Sequence, residues 1–261
     1  MKSYFNKKIY SKKEIWSIDT DIKKIPIDES WNDLFTILFQ ENNLKIIENK
    51  IKKYLENNGN PELLYPKPNY LFKAFSMTPV ENIKVVIIGQ DPYFNNEKYK
   101  ESICPQAYGL SFAVPVGFQV PSSLQNIYKN LLKYKHIQQI PDHGCLDFWA
   151  YQGCLMLNSA LTVIDGQKNC HQNEWKWFTD KVIEYISINC DKVIFVLWGG
   201  DAYKKINLIN KDKHKLVISS HPSGLSAHQK FKEYSCFNNQ DHFRIINSYL
   251  DEPIDWVLPD Y

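Results

Sequence analysis

The sequence has almost no arginine. Of its 31 Lys and Arg residues, 30 are Lys and one is Arg244. Bidentate reading of bases by arginine therefore cannot be the main recognition device of this chain. Any phosphate group that it binds must be held by Lys, hydroxyl groups and backbone N–H groups. The net charge of +2 neither requires nor excludes nucleic acid as a partner.

The chain also lacks the patterns of several common protein classes. Its six cysteines contain no Cys-x-x-Cys pair, which argues against zinc ribbons and iron–sulfur sites and favours free thiols. It contains no Gly-x-Gly-x-x-Gly or Walker A loop, which disfavours the common nucleotide-binding enzymes. No apolar run approaches the ~18 residues of a membrane span, and the polar N-terminus is unlike a signal peptide. We therefore expect an intracellular protein with no metal site and no membrane contact.

Composition divides the chain into two regions. Residues 1–24 hold seven Lys against three acids, and the polar segment 1–28 predicts a Lys-rich N-terminal extension, either a free arm or a loosely docked segment. Residues 29–261 then form one domain. With 44% hydrophobic and 23% charged residues overall, the chain has globular composition and is long enough to bury a large core.

Strand-like and helix-like segments alternate along this domain. Continuous apolar runs, which suit parallel strands buried on both faces, occur at Lys84–Gly89, Leu155–Asn158, Val193–Trp198 and Leu216–Ser220. Helical patterns cover Trp31–Leu55 with a break near Asn42, Leu124–Tyr134 with Ser122 and Ser123 as caps, Glu174–Ile188, and Ala202–Ile209. The alternation predicts a three-layer α/β/α domain with a central four-stranded parallel sheet.

Chemically active residue types follow each predicted strand. Asp91 follows the first, Asn158 ends the second, Gly199-Gly200 follows the third, and the loop from His221 to Ser226 follows the fourth. Ligands bind at the carboxyl ends of parallel strands, so these groups should share one crevice. Each residue alone has a structural alternative, such as a turn role for Asp91 or a packed loop position for His221. Their joint occurrence at four strand ends favours a site.

The motifs at these positions resemble, in order, those of family 1 uracil-DNA glycosylases. They are Gly89-Gln-Asp-Pro-Tyr93, Gly109-Leu-Ser-Phe112, Leu155-Met-Leu-Asn158 and His221-Pro-Ser-Gly-Leu-Ser226, within a match over about residues 60–256. The resemblance implies an enzyme of base-excision repair that hydrolyses the N-glycosidic bond of deoxyuridine in DNA, without cofactor or lyase step. It would release uracil, leave an abasic site, and flip the target nucleotide out of the helix to do so.

The resemblance also implies a role for each matching residue. Asp91 and His221 are catalytic: Asp91 faces the sugar cation and the attacking water, and neutral His221 hydrogen-bonds uracil O2. Uracil itself is bound by the Gln90 backbone N–H, by Tyr93 where a C5 methyl would sit, by the Phe112 ring and by the Asn158 amide. DNA is held by Ser123, Gly200, Ser223 and Ser226 at its phosphates and by Leu225, which fills the space that the nucleotide leaves.

The sequence departs from the family pattern at several points. Phe94 stands where relatives have His, the charged stretch from Asn95 to Gln106 is longer, and Gly200 and Gly224 replace a serine and a proline. These departures leave a second hypothesis open, a non-catalytic DNA-binding relative that acts as a replication accessory subunit. The retained catalytic residues favour the enzyme.

Partners and location follow from the same resemblance. We expect a monomer that acts on uracil-containing DNA, in whichever compartment holds that DNA (nucleus, cytoplasm or viral factory). Replication proteins and a protein inhibitor are further candidate partners.

Overall fold

The structure, a computed structural model, describes residues 15–99 and 102–260. In these ranges the α-helices are α1 (Asn32–Gln40), α2 (Asn42–Glu56), α3 (Lys73–Met77), α4 (Ser122–Lys133), α5 (Asp147–Tyr151), α6 (Gln172–Asn189), α7 (Gly200–Tyr203) and α8 (His242–Asn247). The strands are β1 (Leu64–Tyr65), β2 (Val85–Gly89), β3 (Asn96–Tyr99), β4 (Ser102–Pro105), β5 (Cys154–Asn158), β6 (Val163–Ile164), β7 (Ile194–Trp198) and β8 (Lys215–Ser219).

The central sheet has the strand order β5-β2-β7-β8, and every neighbouring pair is parallel. All residues of β2, β5 and β7 are buried, as their continuous apolar sequences predict. Each strand lies within one residue of its predicted bounds. The predicted four-stranded α/β/α fold is therefore confirmed.

Helices flank the sheet in two groups. α1, α3 and α6 share an aromatic cluster in which Phe35 lies 5.0 Å from Phe72 and 5.5 Å from Phe178, measured between ring centroids. α5 and α8 meet through Trp149 and Phe243, 6.3 Å apart. The two Phe35 pairs are edge-to-face, and pairs of this geometry add to the stability gained from burial. Of the helices in the described ranges, none is long and apolar enough to cross a membrane.

Some predicted helix boundaries are wrong. α4 begins at Ser122 after Pro121, and no side chain caps it, so Ser122 and Ser123 lie in its first turn instead of capping it. Pro121 accounts for this start, because its fixed φ suits the entry to a helix. The segment predicted as Ala202–Ile209 begins earlier, as α7, and continues as the 3₁₀ turn Lys204–Leu208.

The described end of the N-terminal extension is packed firmly, not loosely docked as predicted. Trp16 and Ile22 are buried, and the Trp16 indole donates to the Pro66 carbonyl at 2.8 Å. The Asp28 N–H donates to the Phe75 carbonyl at 3.3 Å. Burial of the Trp16 ring and of Ile22 holds this segment against the core. The Lys-rich residues before Ile15 lie outside the described ranges.

Two small antiparallel ladders accompany the main sheet. β1 pairs with β6, and β3 pairs with β4 in a hairpin that occupies the enlarged stretch 95–106. Glu97 ties this hairpin to the body of the protein, because its carboxylate accepts the Gln119 N–H at 2.9 Å. The sequence predicted an altered loop here, but not a hairpin.

Candidate active site

The floor of the candidate site is the paired end of β2 and β5. Gly89 is the register partner of Asn158, whose side chain is 8% exposed. A Cβ on Gly89 would lie 2.2 Å from the Asn158 Oδ1 atom. Only glycine therefore lets the Asn158 amide lie over the end of β2. Past this pair, the Ala160 N–H donates to the Gln90 carbonyl at 3.0 Å and fixes the turn that leads to Asp91.

Aromatic rings form one wall. Phe112 is buried, and its ring lies 5.7 Å from Trp198 and 5.8 Å from His221, measured between centroids. The Tyr93 hydroxyl donates to the Phe112 carbonyl at 3.1 Å. Phe112 has a φ of 63°, which is costly for a bulky side chain and persists only where the surrounding structure holds it. Burial raises the pKa of the Tyr93 phenol, so the hydroxyl stays protonated and keeps donating.

His221 enters the site in one defined tautomer. Its Nδ1 accepts the Ser223 N–H at 3.0 Å, so in the neutral ring the proton is on Nε2. Burial, assisted by the charge of Lys168, lowers the pKa of His221 to about 4. The imidazole is therefore neutral at physiological pH and offers one N–H donor. Gly199 permits its approach, because a Cβ there would lie 2.7 Å from the His221 Cβ.

Asp91 is the carboxylate of the site. Burial raises its pKa, and so does the charge of Asp201 at the start of α7; the Asn169 N–H and Lys168 act in the opposite direction. The Asn169 N–H donates to Asp91 Oδ2. Sequence reasoning missed Asn169, Lys168 and Asp201, because none lies in a strand-end motif. The residue type of Asn169 is a weak sequence signal, because asparagine tolerates left-handed backbone better than most residues. In the structure its φ is 62°.

The rim of the crevice carries the residues predicted to hold DNA. Leu225 is 83% exposed, which excludes a core role, and lies in a turn closed by the Ser226 N–H to the Ser223 carbonyl at 3.0 Å. Gly200 is exposed at the start of α7. Ser123 belongs to α4, and Asn126, one turn later, donates to the Pro222 carbonyl at 2.8 Å. That hydrogen bond joins α4 to the His221 loop.

Phe94, the main departure from the family pattern, packs with the apolar cluster of Tyr65, Ala107 and Val163. Its carbonyl accepts the Gly166 N–H at 2.8 Å. The side chain thus contributes packing and no polar atom. Within residues 15–99 and 102–260, no three His, Cys, Asp or Glu side chains gather in a way that would hold a metal ion.

Comparison with known proteins decides the family. Residues 75–251 match the family described as the Uracil DNA glycosylase superfamily. The chain belongs to this superfamily. A uracil-DNA glycosylase of Buchnera aphidicola (strain APS) is 41% identical over 234 residues, which cover 88% of this chain and 98% of that protein. A probable uracil-DNA glycosylase of Acanthamoeba polyphaga mimivirus is 37% identical over 253 residues, covering 91% of this chain and 67% of that protein.

Solved structures agree with the sequence comparison. The crystal structure of mimivirus uracil-DNA glycosylase has a TM-score of 0.86 and 36% identity, and the match covers 92% of this chain and 91% of that one. A Y322F variant of the mimivirus protein, in complex with UGI, matches with the same TM-score and identity. The glycosylase family predicted from the motifs is confirmed.

Proposed function

We propose that this protein excises uracil from DNA at the crevice formed by Asp91, Phe112, Asn158 and His221. Uracil excision is the activity of the superfamily to which the chain belongs. The observation that carries the proposal is the convergence of these groups at one sheet edge, together with Leu225, 83% exposed in the loop that begins at His221. A base inside a duplex is out of reach, so the nucleotide is flipped into the crevice.

Base selection rests on shape and on one amide. The Phe112 ring offers a stacking surface, and the Asn158 amide can accept from uracil N3–H while donating to O4. Cytosine presents the opposite pattern and is rejected. Tyr93 supports Phe112 through the 3.1 Å hydrogen bond and occupies the place where a C5 methyl would go. The Gln90 backbone N–H is the donor proposed for uracil O2.

Bond cleavage uses the two titratable groups. The N-glycosidic bond breaks with its electron pair going to uracil, which leaves positive charge on the sugar and negative charge on the base. The Asp91 carboxylate stabilises the sugar cation and orients the attacking water. The Nε2–H of neutral His221 donates to uracil O2. Groups fixed in this way before the reaction typically contribute ~2.7–4 kcal/mol each. No lysine occupies a nucleophile position in these motifs, so the reaction is hydrolysis without a lyase step.

DNA is held at the rim. Leu225 enters the space that the flipped nucleotide leaves and offsets part of the unstacking cost of a few kcal/mol. Ser123, Ser223, Ser226 and the Gly200 backbone contact the flanking phosphates. A Y322F variant of the mimivirus relative forms a complex with UGI, and we propose that a protein inhibitor of this kind also binds this protein. We propose that the protein acts as a monomer wherever DNA is kept in its cell.

The test is release of free uracil from an oligonucleotide with a single uracil, in the presence of EDTA. The expected result is uracil and an abasic strand that remains intact until it is treated with alkali. Asp91→Asn should lose turnover but keep affinity, because the lost interaction belongs to the transition state. Binding of the oligonucleotide with no release by the wild-type protein would favour the non-catalytic accessory subunit.

A further inference from the structure

The carboxylate of Asp91 is held on two sides by one residue. The Asn169 backbone N–H donates to Oδ2, and the Asn169 side-chain amide also faces the carboxylate. Amide nitrogen and oxygen are assigned from their neighbours, and an ionised carboxylate only accepts hydrogen bonds. With its nitrogen toward Asp91, the Asn169 amide donates to Oδ1 at 2.6 Å. The same nitrogen then lies 3.0 Å from the Gln90 side-chain amide, which turns its oxygen toward Asn169 to accept from it.

The conformation of Asn169 is what makes both contacts possible. Its φ of 62° lies in the left-handed region, which asparagine tolerates better than most residues. In this conformation the N–H and the side-chain amide of one residue reach the same carboxylate. Charge-assisted hydrogen bonds of this kind are about twice as strong as neutral ones.

The Asn169 loop, residues 165–171, is anchored to the body of the protein. The Lys50 ammonium donates to the Cys170 carbonyl at 2.7 Å. Buried His171 lies 2.9 Å, Nδ1 to Oγ1, from Thr162, which also accepts the Trp175 indole N–H at 2.7 Å. These contacts involve no group assigned a role in uracil excision. They hold the loop, and the loop holds Asp91.

From this geometry we propose that Asn169 is a positioning residue that orients the Asp91 carboxylate and keeps it ionised for the reaction. The proposal rests on the function proposed above and adds a residue to it. It also explains how Phe94 can stand where the family pattern has His. The Asp91 carboxylate receives its hydrogen bonds from the Asn169 loop and not from the residue after Tyr93.

The electrostatic setting of Asp91 makes the proposal testable by titration. The charged and titratable groups that act on it are Lys168 and Cys170 of the same loop and Asp201 of α7. His221 across the crevice experiences the charges of the same Lys168 and Asp201. Burial favours the protonated acid, and the Asn169 backbone N–H opposes it. A second donor to the carboxylate, the Asn169 amide, acts in the same direction as the N–H. Removing the amide should therefore raise the pKa of Asp91 further.

The experiment compares wild type with Asn169→Gly and Asn169→Asp. Glycine keeps the left-handed backbone and the N–H but removes the amide. Aspartate places a second carboxylate against Asp91. Asn58→Gly is the matched control, because Asn58 also has φ of 62° but lies in the exposed turn after α2. The ¹³Cγ resonance of Asp91, assigned with Asp91→Asn, is titrated, and single-turnover uracil release is measured from pH 4.5 to 9.

We expect the Asp91 midpoint to rise in Asn169→Gly and to rise more in Asn169→Asp. The acid limb of uracil release should move with it, and the rate at pH 7 should fall about 10- to 100-fold. Asn58→Gly should match wild type in both measurements. An unchanged Asp91 midpoint in Asn169→Gly would overturn the proposal, as would a loss of rate equal at every pH. The titration decides this even if wild type releases no uracil, a result that would refute only the proposed function.

Discussion

Gly199→Ala should show how far the rate of uracil release depends on the position of His221, as distinct from the stability of the fold. Gly199 has φ of 86° and ψ of 177°, a region that only glycine occupies readily. A side chain there costs about 1–3 kcal/mol in backbone strain. The new Cβ would also lie 2.7 Å from the His221 Cβ and 3.3 Å from its Cα. Since that Cα belongs to the backbone, the His221 loop itself has to move.

The displacement should be costly for catalysis because the Nε2–H of His221 must meet one atom of the base. A misplacement of about 1 Å can cost ~10²-fold in rate, so we expect a loss of about 10- to 100-fold. The unfolding free energy should fall by about 1–3 kcal/mol. Single-turnover uracil release and urea unfolding measure the two effects on the same preparation.

Gly153→Ala is the matched control. Gly153 has φ of 101°, and its Cβ would lie 2.2 Å from the Asn82 carbonyl, but it precedes β5 at the opposite edge of the sheet from the site. This variant should lose at least as much stability yet keep its rate per folded molecule. Wild-type rates in Gly199→Ala, or equal rate losses in both variants, would refute the role given to the His221 position.

Three further outcomes are expected. Asn158→Asp should weaken uracil excision and relax the exclusion of cytosine, as measured with matched oligonucleotides that contain uracil or cytosine. Unchanged discrimination between the two bases would show that Asn158 does not select the base. Leu225→Ala should leave stability within about 0.5 kcal/mol, because the side chain is 83% exposed, but slow excision from duplex more than from single strands. His171, His221 and His242 have a pKa lowered to about 4, chiefly by burial. Between pH 6.5 and about 4 these histidines are protonated in the unfolded chain but still neutral in the folded protein, so lowering the pH favours unfolding. The free energy of unfolding, measured with urea, should fall by about 2 kcal/mol per histidine between pH 7.5 and 5. A flat profile would contradict their burial as neutral rings.

The central sheet and its chemistry could be predicted because one physical rule governs both. A parallel strand that is buried on both faces is continuously apolar, so the apolar runs of the sequence predict β2, β5 and β7. The residues that follow such strands meet at one edge. Asp91, Asn158 and His221 are predicted by this rule alone.

The features that sequence reasoning missed depend on contacts between distant segments. The hairpin β3–β4 has mixed polar and apolar residues without clear alternation, so no period marks it. Trp16 is the one aromatic residue of the described segment 15–28, and its burial and its hydrogen bond to Pro66, 50 residues away, show that it is docked. Asn169 lies 78 residues after Asp91, and no local pattern links the two.

Three residues with positive φ lie where the chemistry of this protein is proposed. Phe112, Asn169 and Gly199 all have positive φ, and they contact His221, Asp91 and His221 respectively. A hydrogen bond or an anchored loop holds each of them in place. The Tyr93 hydroxyl donates to the Phe112 carbonyl, and the loop anchored by Lys50 holds Asn169. The Gly199 N–H donates to the Ser219 carbonyl at 2.9 Å. Strain of this kind persists only when the surrounding structure over-determines it, and here the buried sheet supplies that structure. The sheet fixes the loops, and the loops fix the tautomer of His221 and the orientation of the Asp91 carboxylate in advance of DNA binding.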